Sequence, residues 1–65
     1  MEHIELSDKE IERLIDLLSS ENQEDHIVAT NIIVNNLNQY NTIVDKMNFT
    51  HFFNFRVATH KINNI

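Results

Sequence analysis

Apolar positions recur along this chain in two successive helical stripes. Ile11, Leu14, Ile15 and Leu18 follow an i, i+3, i+4, i+7 pattern that Leu17 widens, while Glu12 and Asp16 take the opposite face and Arg13 its edge. The run S-D-K-E beginning at Ser7 has the spacing of a capping box, in which the Ser7 hydroxyl and the Glu10 side chain each satisfy the other's backbone N–H. Leu6 and Ile11 stand at the two positions of a hydrophobic staple around that cap, and Asp8 and Glu10 suit the positive end of a helix. The pattern predicts a first helix running to about Ser19. The SSEN segment is then a turn, with Ser20 or Asn22 as the next N-cap and Gln23 or Asp25 at the matching third position. A second helix is predicted to carry Ala29, Ile32, Ile33, Leu37 and Tyr40 on one broad face, with Val28 and Val34 near its edges. Two apolar stripes joined by so short a link fold as an antiparallel hairpin over residues 6–38. Ahead of it, the alternation of His3 and Glu5 with Ile4 and Leu6 reads as an extended lead-in, or as a short strand.

Beyond Leu37 the pattern admits two readings. NQYN has turn composition, with Asn38 or Asn41 suited to a left-handed conformation, and Thr42 can cap a further helix. Val44, His51, Phe55, Ala58, Ile62 and Ile65 then recur at near-heptad spacing with Met47 on the same side, which favours a long helix interrupted at residues 48–50. The alternative is a strand, since FTHFFNFRVAT is rich in aromatic and β-branched residues, with Phe53, Phe55, Val57 and Thr59 on one face. A lone strand needs a partner, which residues 3–6 or a second chain would have to provide. The expected fold is therefore all-α: one domain over residues 1–65, three or four helices, with an aromatic-rich C-terminal segment at 42–62.

The stretch LIDLLSSENQEDHIVATNIIVNN resembles one unit of an armadillo or HEAT repeat. A leucine-rich helix ends in a Leu-Leu-Ser run, a polar turn leads into an acidic helix start, and Ala29 and Ile33 supply the small and apolar positions of the second helix. The resemblance covers residues 11–37 and implies that Asn35 stands where armadillo units place an asparagine that binds the backbone of an extended peptide. The chain departs from the pattern at Asn36, which fills an apolar position, and in having neither an inter-helix glycine nor a second copy. Repeat units need about three neighbours to bury their faces, so the resemblance implies a single HEAT-like hairpin and not a solenoid.

Composition sharpens this reading by exclusion. A chain of 65 residues buries only about 60% of its unfolded surface and is marginal without disulfides, metal or oligomerisation. It has no cysteine, which removes disulfides and thiolate chemistry and suits a reducing, cytoplasmic setting. No apolar run approaches a membrane span, and the acidic N-terminus lacks the order of a signal peptide. With no glycine, a P-loop or dinucleotide fingerprint is ruled out, and left-handed turns fall to the ten asparagines. Heavy asparagine and isoleucine usage is also what an AT-rich genome produces; it fits a virus, a phage included, or a low-GC bacterium equally. The net charge is −5, and nine of the ten acids fall within the first 25 residues, leaving a weakly basic remainder with Lys46, Arg56 and Lys61. That balance argues against nonspecific nucleic-acid binding.

No catalytic residues, metal ligands or cofactor are expected. The three serines occupy cap and turn positions, and no two of His3, His26, His51 and His60 have the i, i+3 or i+4 spacing of paired ligands on a helix. The informative excess is aromatic. Phe49, Phe52, Phe53 and Phe55 crowd into seven residues and project from a helix in several directions, more than so small a core can hold. Aromatic and arginine side chains are favoured interface anchors. The expected function is therefore a non-catalytic interaction module, an adaptor, assembly factor or inhibitor, that dimerises or docks on a larger protein. Its candidate residues are Phe49, Phe52, Phe53, Phe55, Arg56 and, through the repeat resemblance, Asn35. A small nucleic-acid-binding regulator using Arg56, His60 and Lys61, or a structural part of a larger assembly, is the alternative.

Overall fold

The computed structural model describes residues 5–63. The positions of His3, Ile4 and Ile65, on which the lead-in pattern and the end of the heptad-like repeat partly rest, lie outside that range. Four α-helices follow in order: α1 (Asp8–Leu18), α2 (Gln23–Val34), α3 (Tyr40–Asp45) and α4 (Phe49–Asn63), with a 3-10 turn at Leu37–Gln39 leading into α3. The described residues contain no strand, so the C-terminal segment takes the helical alternative.

The capping box forms as expected: the Ser7 hydroxyl accepts from the Glu10 N–H at 3.2 Å, and the Glu10 carboxylate accepts from the Ser7 N–H at 2.8 Å. The other end of α1 is closed by two different devices. The Ser19 hydroxyl donates to the Asp16 carbonyl at 2.8 Å, and Asn54, reaching in from α4, donates to the Leu18 carbonyl at 2.7 Å. Asn22 is the N-cap of α2, its side chain accepting from Glu24 N–H. Ser20, the other candidate, instead braces the turn: it accepts from Asn22 N–H and donates to the Asp25 carboxylate at 2.7 Å.

Four expectations are corrected in and beyond α2. Helix α2 stops at Val34, so Leu37 and Tyr40 do not extend its buried face: Leu37 is 60% exposed in the 3-10 turn, while Tyr40 begins α3 and packs against the Phe55 ring. Thr42 lies inside α3 and caps nothing; the last helix is capped by Asn48, which accepts from His51 N–H at 3.0 Å while the His51 ring accepts from Asn48 N–H. The break between α3 and α4 accordingly falls at Lys46–Asn48, slightly before its expected place. Nor do the asparagines act through left-handed backbone, since no described residue has positive φ. They replace glycine by hydrogen-bonding the loose backbone ends directly: Asn22 and Asn48 at helix starts, Asn36 on the Ile32 carbonyl and Asn54 on the Leu18 carbonyl.

The core lies where α4 crosses the α1–α2 hairpin. Ile11, Leu14, Ile15 and Leu18 meet Ala29 and Ile33, with Ile43, Phe55 and Ala58 closing the third side. Thr30 is buried among these groups, and its hydroxyl has no hydrogen-bond partner. A buried hydroxyl without a partner costs about 1–3 kcal/mol, and valine has the same branched shape and similar helix propensity. Thr30→Val is therefore expected to stabilise the fold by about 1 kcal/mol, raising Tm by about 4–8 °C in a domain of this size. Thermal melting by circular dichroism checks this, and an unchanged Tm would show that the hydroxyl is satisfied in solution.

Candidate functional site

Helix α4 sorts its four phenylalanines by angle. A residue advances about 100° around a helix, so Phe55 and Ala58 point at the hairpin and are buried, with His51 and Ile62 half-buried beside them. Phe55 is 5% exposed and stacks obliquely with Tyr40 and Phe52 at 6.1 and 6.3 Å between ring centroids. Phe52 sits at the margin, half-buried, with the Arg56 guanidinium 5.8 Å above its ring. Phe49 and Phe53 point outward, 83% and 57% exposed, and their rings stack at 6.5 Å. Val57, 38% exposed, continues the line. Phe49, Phe53 and Val57 are thus spaced i, i+4, i+8 and form an apolar ridge about 12 Å long on the outer face of the helix.

Shallow depressions flank that ridge. One, of about 150 Å³, lies between α4 and the start of α2 and is lined by Ile27, His26, Phe53, Val57 and Ala58. The other, of about 290 Å³, lies along α4 itself between Phe53, Arg56, Val57 and His60. Lys61 borders both, and its ammonium group hydrogen-bonds the Gln23 side chain. The first is about half the lower limit of the roughly 300–1,000 Å³ of typical small-molecule sites, and the second is at that limit. Their shape suits side chains presented by another surface.

The serines and two of the histidines are occupied in holding the fold. Ser7, Ser19 and Ser20 all make cap or turn hydrogen bonds, His26 Nε2 meets the Ser20 carbonyl at 2.7 Å, and His51 completes the α4 cap. Among the described residues no group of three or more His, Asp or Glu side chains converges as a metal site would require. No described helix is long and apolar enough to cross a membrane.

Of the sequence-derived candidates, the structure brings Phe49, Phe53 and Arg56 to one surface, leaves Phe52 at its margin and puts Phe55 in the core. Asn35 is exposed at the C-terminal end of α2 and lines neither depression. Val57 and Ile27 were missed. The four-residue step from Phe53 to Val57 was visible in the chain, whereas the approach of Ile27 depends on how α2 and α4 cross. No family model, curated protein or solved structure matches this chain.

Proposed function

We propose that this protein is a non-catalytic interaction module of the cytoplasm, an adaptor, assembly factor or inhibitor, that docks on a larger protein through the outer face of α4. One observation carries the reading. Two stacked phenylalanines and a valine stand in a row on a helix whose other face is already packed. Burying one such aromatic side chain is worth about 1.5–3 kcal/mol, so leaving Phe49 and Phe53 in water forgoes stabilisation that a small domain can ill spare. Ser7, Ser19 and Ser20 are engaged in caps and turns and place no hydroxyl nucleophile on that face, and the net charge of −5 disfavours a nucleic-acid partner.

The test compares the wild-type protein with Phe49→Asp/Phe53→Asp, both immobilised and exposed to lysate of the cells from which the gene comes. A defined protein retained by the wild type and lost by the double variant, which should melt as the wild type does, supports the reading. A protein retained equally by both places the working surface elsewhere. Sedimentation of the wild type at tens of micromolar distinguishes docking on another protein from self-association: a dimer abolished by the same substitutions makes a second copy the partner.

A further inference from the structure

The charge around the ridge narrows the kind of partner, given the docking reading above. Helix α4 carries Arg56 and Lys61 and no acidic residue, in a protein that is otherwise strongly acidic. Arg56 and Lys61 border the depression beside Phe53 and Val57. Their described contacts are with a phenyl ring and a neutral amide, neither of which offsets the positive charge. A row of apolar side chains at i, i+4, i+8 is also the ridge that another helix accepts in its own i±4 groove. An extended peptide adding as a strand would need unpaired backbone N–H and C=O groups along an edge, and a helix surface has none to offer.

We infer that the occupant of this face is an acidic amphipathic helix of another protein, seating leucine-like side chains in the depressions flanking Phe53 and Val57 and carboxylates against Arg56 and Lys61. A second copy of the chain fits poorly. Pairing α4 with α4 would set Arg56 and Lys61 against the same charges, and the acidic helix α1 already buries its apolar stripe of Ile11, Leu14, Ile15 and Leu18.

Two synthetic peptides of about 20 residues, long enough to be helical on binding, test this by fluorescence anisotropy with the intact protein. Both have leucines at i, i+3, i+4, i+7 spacing; one has glutamates on the polar face and the other lysines. The glutamate peptide is expected to bind at least about tenfold more tightly, to weaken as salt rises, and to lose that preference with Arg56→Glu/Lys61→Glu. Equal binding of the two peptides, binding indifferent to the charge reversal, or binding of an oligothymidylate but of neither peptide would each overturn the inference. If neither peptide binds while Phe49→Asp/Phe53→Asp still abolishes capture of a protein partner, the acidic helix is wrong and the docking reading stands. Capture that survives those substitutions removes the docking reading itself.

Discussion

Phe55→Asp is expected to unfold this protein at room temperature, whereas Phe53→Asp on the same helix leaves it folded. Phe55 is 5% exposed and packs against Tyr40 and Phe52 where α4 crosses the hairpin. Truncating a buried phenylalanine costs about 3–5 kcal/mol, and a carboxylate in the space it leaves adds the cost of a buried, unpaired charge. A core of this size supplies about 3–5 kcal/mol in all. The helical circular dichroism and the cooperative melt of Phe55→Asp should therefore both be lost. Phe53 is 57% exposed and its ring stacks on that of Phe49; replacement at such an exposed site changes stability by about 0.5 kcal/mol or less. The carboxylate introduced by Phe53→Asp would also stand in the N-terminal half of α4, away from the helix end that disfavours negative charge. Phe55→Leu supplies the control, since an apolar side chain of intermediate size should keep the fold at less than the roughly 3–5 kcal/mol cost of full truncation. A folded Phe55→Asp would mean that α4 does not close the core, and an unfolded Phe53→Asp would make its ring structural.

The next largest effect is expected at Gln39. Its side-chain oxygen accepts from the Leu6 N–H at 2.8 Å and its nitrogen donates to the Leu6 carbonyl at 3.0 Å, so one amide holds both backbone groups of a residue 33 positions away. The clasp fixes the entry into α1, where Leu6 is partly buried against the core. Each hydrogen bond is worth about 1 kcal/mol net, so Gln39→Ala should cost about 2 kcal/mol and lower Tm by about 8–16 °C. Gln39→Glu is the more discriminating variant. It keeps an acceptor for the Leu6 N–H but turns a carboxylate towards the Leu6 carbonyl, and should destabilise about as much as alanine. If Gln39→Glu melts like the wild type, the clasp contributes nothing to stability. Hydrogen exchange at the Leu6 amide provides a local readout of the same contact.

The candidate surface was only partly legible in the chain. Crowding of phenylalanines between Phe49 and Phe55 announced that some would face outward, because a helix spreads neighbouring residues over its whole circumference. Which ones did so depended on the angle at which α4 meets the hairpin. Phe55 faces inward because the near-heptad series of His51, Phe55, Ala58 and Ile62 defines the packed side. Phe49 and Phe53 are the residues that this choice turns away. The basic character of the face came from a simpler signal, the absence of Asp and Glu after Asp45.

By itself the sequence determined the α1–α2 hairpin. The Ser7–Glu10 box, the stripe from Ile11 to Leu18 and the acidic start of α2 act over a few residues, within reach of local hydrogen bonds and a single helical period. Only the tertiary structure decided the end of α2 at Val34, the exposure of Leu37, and the roles of Gln39 and Asn54. Asparagine and glutamine side chains hydrogen-bond whichever backbone group lies nearest, so their partners, Leu18 and Leu6, exist for them only after the chain has folded back. The outer face of α4 belongs with these. A residue's distance from water depends on what the rest of the chain places on its other side.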